Sequence, residues 1–298
     1  MEPPTVERVV ETALGRDVRS CEPAGAGRMA ETYLLTLAGP PGRVVCKFGG
    51  SSVRTREVVE PSVVRLVDRT TDLPVPTVLE TGRLPETGRR WAVYEFRDGT
   101  TPTPFDGLGG PVREGLLREV GSALARLHAT HQFERVGGLA RAGDDLRICR
   151  PRGLHVPGKA RELLQRMPGR RWTDPQPVLT HGDLYPGNLL VEDGELTALL
   201  DWGNAHVTTA GYALARAELR FVDWFRPARE ERASLRAALR AGYRRHRTLP
   251  RDYPRLATLH KTLWLVQSGE RHLRHTLTSR GRRQLLDHAR SVLASLPG

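Results

Sequence analysis

The segment THGDLYPGNLLVEDGELTALLDWG, residues 180–203, contains two apolar runs that are joined by an Asp-Gly pair. This pattern predicts a tight hairpin, because glycine tolerates the positive φ that such turns require. The two open ends of an antiparallel hairpin lie side by side, so Asn188 and Asp201 are expected within a few ångströms of each other. Asp183 precedes Asn188 on a short loop, which should place a third polar side chain at the same point.

These three residues suit a particular chemistry when they are taken together. Asn and Asp oxygens are ligands for a hard cation such as Mg²⁺, and the Asp183 carboxylate is free to accept a proton. Any one of them alone is more often a turn or cap residue. The joint pattern favours a functional site.

Length and composition indicate a folded protein. The chain has 298 residues, of which 39% are hydrophobic, enough for one large domain or two lobes. No stretch of 18 apolar residues occurs and the N-terminus has no apolar signal region, so we expect a cytoplasmic protein without a membrane partner. Cys21, Cys46 and Cys149 lack CxxC spacing, which argues against a zinc site and a disulfide framework.

The net charge of +12 raises nucleic-acid binding as a hypothesis. The basic residues are nearly all Arg, and they are mixed with acids along helical segments such as RPAREERASLRAALRAGYRRHR. This distribution is typical of solvated helix faces, so no nucleic-acid partner is expected. Only Lys47, Lys159 and Lys261 are lysines, which suggests specific tasks for them.

The order of elements predicts a small α+β lobe and a larger, mainly helical lobe. Apolar and β-branched runs separated by Gly and Pro predict strands in residues 1–97, with a helix over 56–71 whose first turn contains Pro61. The Gly-, Pro- and Thr-rich segment DGTTPTPFDGLGGP is interpreted as a linker, so residues 98–298 form the second lobe. Apart from the hairpin, periodicity predicts a series of helices in that lobe, including ARELLQRM and RRQLLDHARSVLASL.

The pattern H-x-D-x-x-x-x-N, followed by a hairpin and D-W-G, resembles the catalytic loop and metal-binding segment of kinase-fold phosphotransferases. The motifs HGDLYPGN and LLDWGNA resemble those of the aminoglycoside phosphotransferase and choline kinase superfamily, as do LARLHA and LPVPTVLETG. The resemblance runs through most of the chain. It implies an α+β, two-lobed protein-kinase-like fold and a Mg²⁺-dependent small-molecule kinase that uses ATP or GTP.

The resemblance also implies roles for individual residues. Asp183 would orient the hydroxyl of the acceptor, while Asn188 and Asp201 would hold Mg²⁺. Lys47, on a strand of the small lobe, would contact the nucleotide phosphates. A helix Glu should hold Lys47, and Glu60 fits the family spacing better than Glu57, which could equally be an exposed helix charge.

Two further segments are candidates for nucleotide binding. AGAGRMAETY offers Gly25 and Gly27 for a close backbone approach to phosphate, although it lacks the full G-x-G-x-x-G. WAVYEFRDG resembles the hinge between lobes, where backbone groups around Glu95 and Phe96 would pair with the purine and Tyr94 would abut it. His181 and His128 are interpreted as structural residues.

The acceptor is expected to be a small hydroxylated molecule, since no long activation segment and no A-P-E follow Asp201. From position 204 onward the chain has 19 Lys and Arg against 7 Asp and Glu, the wrong sign for attracting a polycation such as an aminoglycoside. Local acids could still form a pocket, and Glu218, Asp223 and Glu270 are the candidates. Aromatic residues could line it as well: Tyr212, Trp224 and Trp264.

Three functional classes remain open at this point. The leading one is an enzyme that phosphorylates an antibiotic, such as an aminoglycoside or a related natural product. The second is a kinase for a housekeeping metabolite: a sugar, a fructosamine or an amino alcohol. A nucleotide-binding pseudokinase is disfavoured because the four expected catalytic and binding residues are present. The sequence leaves the oligomeric state and the choice between ATP and GTP open.

Overall fold

A computed structural model describes residues 2–24, 30–130, 133–143, 145–149, 177–250 and 253–267. These residues form a two-lobed, protein-kinase-like α+β fold, with a small β-rich lobe followed by a larger lobe in which helices predominate. The predicted fold class is confirmed. The exact division at residues 97 and 98 stays a prediction.

The small lobe is built on one antiparallel sheet with the strand order β1-β2-β3-β5-β4. Helix α1, Pro3–Leu14, packs against one face of this sheet and buries Val6 and Val10 there. The strands are β1 Val18–Pro23, β2 Ala30–Leu37, β3 Arg43–Gly49, β4 Val78–Arg83 and β5 Arg90–Glu95.

Alternation along β3 decides which way Lys47 points. Val44, Cys46 and Phe48 are fully buried in the apolar cluster beneath α1. Because successive side chains of a strand point to opposite faces, Val45 and Lys47 face away from α1 and toward the larger lobe. A two-residue period in the sequence VVCKF thus places the lysine at the junction of the lobes.

Helix α2, Glu60–Thr70, begins later than the sequence pattern predicts. Val58 and Val59 precede it, and so does Glu57, which corrects the expected helix over residues 56–71. Pro61 lies in the first turn, where its missing N–H costs nothing and its fixed φ suits a helix start.

The larger lobe contains the predicted hairpin and four described helices around one apolar core. Leu117, Leu124, Leu214 and Leu239 belong to this core and are at most 2% exposed. The hairpin strands are β9 Leu189–Glu192 and β10 Glu195–Leu199, and the helices are α3 Gly110–Thr130, α4 Ala210–Phe221, α5 Arg229–Arg244 and α6 Tyr253–Gln267.

The larger lobe is mainly helical, as predicted, but it also contains a four-stranded sheet that the sequence pattern did not predict. Its order is β7-β6-β11-β8. The strands are only four to six residues long, too short for alternation to distinguish them from loops. They are β6 Gly137–Ala142, β7 Asp145–Cys149, β8 Pro177–Thr180 and β11 His206–Thr209.

Several predicted features lie outside the described residues: the helices ARELLQRM and RRQLLDHARSVLASL, and the candidate site residues Gly25, Gly27 and Glu270. Cys21, Cys46 and Cys149 are all free thiols. Within the described ranges, no helix has the length and apolar character needed to cross a bilayer.

Helices α3 and α5 approach closely because glycines face each other's backbones. A Cβ on Gly121 would lie 2.0 Å from the Leu239 carbonyl oxygen, and one on Gly242 would lie 2.0 Å from the Arg118 carbonyl oxygen. We expect Gly121→Ala to lower the free energy of unfolding by about 1–3 kcal/mol or more, because the helices must separate. Urea denaturation measures the change.

Gly115 on the same helix is the matched control, since a Cβ there meets no atom within 4 Å. Gly115→Ala should be neutral or stabilise the protein by roughly 0.5–1 kcal/mol through the higher helix propensity of alanine. Equal stability of the two variants would contradict the close approach.

Candidate active site

The hairpin forms as predicted and aligns its two open ends. Asp193 and Gly194 adopt φ values of 50° and 84°, both positive, as a two-residue type I′ hairpin turn requires. Beyond the paired strands, the Leu200 N–H donates to the Asn188 carbonyl oxygen over 2.9 Å. Asn188 and Asp201 are therefore neighbours, as their sequence spacing indicates.

The donor atoms at this point fit a hard divalent cation. The Asn188 side-chain amide donates from Nδ2 to the Asp183 carbonyl oxygen over 2.8 Å, which directs its Oδ1 away from that bond. The Asp201 side chain is 55% exposed, and its backbone takes the left-handed conformation with φ 64°. One amide oxygen and one carboxylate, both at the junction of the lobes, are suitable ligands for Mg²⁺.

Asp183 lies on a loop that is held in place by hydrogen bonds to the His181 ring. The Asp183 N–H donates to His181 Nδ1 over 3.3 Å, and His181 Nε2 lies 2.9 Å from the Leu200 carbonyl oxygen. This pairing defines a neutral imidazole with its proton on Nε2. Burial lowers the pKa of His181 to about 4, so the ring remains neutral. Its role is to hold the loop through these two hydrogen bonds.

Gly182 allows the sharp bend between these two residues. Its φ of +79° is in the left-handed region, and a Cβ there would lie 1.8 Å from the Asn204 carbonyl oxygen. Any larger residue would push the Asp183 loop away from the segment that follows the hairpin.

Lys47 is held between two carboxylates. Its Nζ lies 2.8 Å from Glu60 Oε1 and 3.7 Å from Asp201 Oδ1. Burial alone would lower the pKa of Lys47, but Glu60 and Asp201 outweigh it and raise that pKa above its ordinary value. The lysine is a fixed cation beside the carboxylate that would hold the metal.

Glu60, rather than Glu57, is the helix carboxylate that contacts Lys47. Glu60 is 5% exposed and also accepts the Trp202 N–H over 3.3 Å, which ties α2 to the segment after the hairpin. Glu57 instead accepts the Arg141 backbone N–H over 2.9 Å.

A cavity of about 310 Å³ lies between the lobes, next to Lys47 and Asp201. Leu34 and Val45 of the small lobe form one wall, and Leu190 and Leu200 of the hairpin region form the other. Its remaining side is the predicted hinge, formed by Tyr94, Glu95 and Phe96. An apolar cavity with the charged side chains of Lys47, Glu60 and Asp201 in its lining suits a purine with its phosphates.

The sequence model of the phosphotransferase enzyme family APH matches residues 20–259. The chain belongs to this phosphotransferase family. Among curated protein sequences, no significant match to the phosphotransferase was found.

Solved structures with 13–17% sequence identity share the fold of this phosphotransferase. A thermostable mutant of aminoglycoside phosphotransferase APH(4)-Ia, in a ternary complex with ADP and hygromycin B, is 16% identical with a TM-score of 0.62, covering 99% of each chain. The GDP complex of aminoglycoside 2'-phosphotransferase-IIIa is 13% identical with a TM-score of 0.60, also covering 99% of each chain. Macrolide 2'-phosphotransferase MphH from Brachybacterium faecium is 17% identical with a TM-score of 0.56, covering 99% of this phosphotransferase and 98% of that chain.

Two of the predicted acceptor residues of the phosphotransferase lie in a buried ion-pair cluster instead. Glu218 is 0% exposed and bonds to Arg240 and Lys261 over 2.6 Å each. Asp223 bonds to Lys261 over 2.9 Å and to Arg236. Burial alone would raise the pKa of Glu218, but Lys261 and Arg240 lower it to about 2.

This cluster corrects the expectation that Glu218 faces an acceptor. Its carboxylate has no solvent-accessible surface and both oxygens already accept bonds from cations. Lys261, one of the three lysines of the phosphotransferase, joins α6 to α4 through Glu218 and so has a structural place. Asp223 is engaged in the same way with its side chain 14% exposed.

Arg216 is the site residue that sequence reasoning missed. Its Nη2 donates to Asp183 Oδ1 over 3.1 Å, so an arginine of α4 contacts the central carboxylate of the phosphotransferase. The basic residues of helical segments were interpreted in general as solvated helix faces, and Arg216 was not singled out. The signal was available in the spacing, because Tyr212, Arg216 and Arg220 recur every four residues and share one face of α4.

Proposed function

We propose that the protein transfers the γ-phosphate of a Mg²⁺-bound nucleoside triphosphate to a hydroxyl group of a small molecule. The observation that carries this proposal is the convergence of Asp183, Asn188, Asp201 and Lys47 at one end of the cavity between the lobes. Membership of the phosphotransferase family supports the same class of reaction.

In the proposed mechanism, the cavity binds the purine and Lys47 neutralises charge on the phosphates. Asn188 and Asp201 would hold Mg²⁺, which supplies charge neutralisation to the phosphates when it is bound. Asp183 aligns the acceptor hydroxyl and takes its proton. The bond from the acceptor oxygen to the γ-phosphorus forms as the bond to the bridging oxygen breaks, and the nucleoside diphosphate leaves.

Positioning and electrostatics supply most of the rate in such a reaction. The structure offers rigid supports for both. His181 fixes the Asp183 loop through Leu200, and Glu60 fixes Lys47 while also bonding to the Trp202 backbone. These contacts hold the reacting groups in place before a ligand arrives.

The acceptor of the proposed reaction is a hydroxylated natural product such as an antibiotic. Relatives of similar fold include one bound to ADP and hygromycin B and one that is a macrolide phosphotransferase, which supports this class. The alternative is a metabolite kinase for a sugar, a fructosamine or an amino alcohol, because the fold alone does not select the acceptor. We also propose a cytoplasmic enzyme with no nucleic-acid or membrane partner.

The proposal is tested by Mg²⁺-dependent nucleotide consumption in the presence of acceptors. ATP and GTP are each tested with aminoglycosides, other hydroxylated antibiotics, sugars, sugar phosphates, hydroxy acids and amino alcohols. We expect one acceptor class to stimulate turnover with at least one of the two nucleotides. Absence of nucleotide binding would contradict the enzyme assignment and favour the pseudokinase.

A further inference from the structure

Helix α4 carries a cationic surface beside the proposed catalytic carboxylate. Arg216 and Arg220 lie four residues apart and therefore on one face of the helix. Arg216 contacts Asp183 directly, and its side chain is 12% exposed. Arg54, in the loop after β3, is close enough for its charge to interact with those of Arg216 and Asp183. We call Arg54, Arg216 and Arg220 the arginine cluster.

The arginine cluster is not neutralised by the protein around it. Within the described part of the chain, Arg54 and Arg220 form no ion pair, and Asp183 is the single ion-pair partner of Arg216. Arg216 Nε and Nη1 and Arg220 Nε are buried and have no hydrogen-bond partner among the described residues. One carboxylate thus faces three guanidinium groups.

Such an excess of buried positive charge is unfavourable in the absence of an anion. Burial lowers the pKa of all three arginines, and the charge of Arg216 contributes to this lowering at Arg54 and at Arg220. Arginine stays protonated under all ordinary conditions. The lowered pKa values therefore reflect the energetic cost of burying these cations close to one another. His206 adds no further positive charge, because burial lowers its pKa well below the ordinary value.

Aromatic rings lie against the guanidinium groups of Arg216 and Arg220. The Arg220 guanidinium carbon lies 4.5 Å from the Tyr185 ring centroid and 4.8 Å from that of Trp224. That of Arg216 lies 5.3 Å from the Trp264 ring centroid. A guanidinium over an aromatic face keeps its N–H donors at its edge, where two of them can bind two oxygens of a carboxylate or a phosphate.

We infer that the acceptor carries an anionic group, a carboxylate or a phosphate, which the arginine cluster binds while Asp183 aligns the acceptor hydroxyl. This inference rests on the proposed function and narrows its acceptor class. Arg216 contacts Asp183, and Arg220 lies four residues, or roughly 6 Å, farther along the helix. This distance sets the expected separation between the acceptor hydroxyl and its anionic group. Hydroxy acids and sugar phosphates have this spacing, whereas the cluster repels a polycationic aminoglycoside.

The test measures binding of matched probes to the enzyme saturated with Mg²⁺ and AMP-PNP, by isothermal titration calorimetry. The pairs are gluconate against glucitol and glucose 6-phosphate against glucose, with kanamycin as the polycation. We expect at least one anion to bind more tightly than its neutral partner and kanamycin not to bind. Arg220→Gln should weaken that anion about 10- to 100-fold, as expected for loss of a hydrogen bond to a charged group.

Arg244→Gln is the matched control, because Arg244 is exposed on α5 and the substitution removes the same charge. It should leave the affinity for the anion unchanged. Equal loss in both variants would overturn the inference, since it would show only an effect of net charge. So would binding of kanamycin, or binding of no anion at all by enzyme that holds AMP-PNP.

A second arm distinguishes an anion of the acceptor from the γ-phosphate of the nucleotide. The affinities of the Mg²⁺ complexes of AMP-PNP and ADP are compared in Arg220→Gln and in the unaltered protein. An unchanged preference supports the inference, and loss of the preference for AMP-PNP would assign the cluster to the γ-phosphate and overturn it. Failure of the proposed function is distinct, because the unaltered protein would then bind neither nucleotide.

Discussion

Asp183→Ala is expected to lower kcat by roughly 10²- to 10⁴-fold, the range for loss of a positioned proton acceptor. Affinity for the Mg²⁺–nucleotide complex should remain nearly unchanged, because Asp183 does not line the cavity in which the nucleotide is proposed to bind. Its carboxylate is 31% exposed and contacts Arg216, on the side where an acceptor would lie. Single-turnover assays and nucleotide titrations measure the two quantities separately.

Two further variants make this prediction specific. Asp183→Asn preserves the volume of the side chain and an oxygen for Arg216, so its loss of rate reports the proton acceptor rather than an unpaired arginine. Asp68→Ala removes an exposed carboxylate from α2 and should leave kcat unchanged. Loss of nucleotide binding in Asp183→Asn, or retained turnover, would contradict the proposed role.

Stability is expected to fall steeply when the pH decreases from 6.5 toward 4, because four histidines in the described part of the chain are buried in the neutral form. His128, His181, His206 and His260 are between 0% and 7% exposed. Burial lowers their pKa from 6.5 to about 3 for His128, to about 4 for His181 and His260, and well below the ordinary value for His206.

The sign follows from the difference in bound protons. Between these pKa values the unfolded chain binds protons that the folded chain does not, so acid favours unfolding. Each such histidine contributes up to about 1.4 kcal/mol per pH unit to the slope. Carboxylates with lowered pKa, such as Glu218, lose their contribution only at lower pH and do not explain a change near pH 6.

Urea denaturation at pH 7.5, 6.5, 5.5 and 5.0 tests this prediction. His128→Phe removes one of the four groups from the core of the larger lobe, where His128 Nδ1 lies 3.0 Å from the Tyr243 hydroxyl. Its pH slope should be smaller by about one proton, whatever its absolute stability. A free energy of unfolding that is constant between pH 7.5 and 5.0 would show that the histidines are accessible to protons in the folded state.

The sequence was most informative where chemistry depends on residues close along the chain. The hairpin follows from one Asp-Gly pair between apolar runs, and it determines that Asn188 and Asp201 are neighbours. Alternation in VVCKF orients Lys47, and the family-like spacing from Glu60 to PVP, residues 74–76, favours Glu60 over Glu57. Each of these inferences uses residues that lie within a span of fewer than 25 positions.

Contacts between distant segments could not be predicted in this way. Strand β11 pairs with β6, about 70 residues earlier, and short strands are determined by such partners rather than by their own composition. Glu218 was interpreted as a candidate for acceptor binding. Its ion pairs could not be predicted because the cations come from other helices, Lys261 being 43 residues away. Arg216 and Asp183 are 33 residues apart, so their contact emerges only from the fold.

Nucleotide binding with and without Mg²⁺ tests the central claim most directly. Isothermal titration of AMP-PNP or a nonhydrolysable GTP analogue is carried out with the unaltered protein in Mg²⁺, with the same protein in EDTA, and with Asp201→Asn in Mg²⁺. We predict that the unaltered protein binds one nucleotide per chain in Mg²⁺, and that EDTA and Asp201→Asn each weaken this binding. Failure of both nucleotides to bind in Mg²⁺, or equal binding under all three conditions, would contradict it.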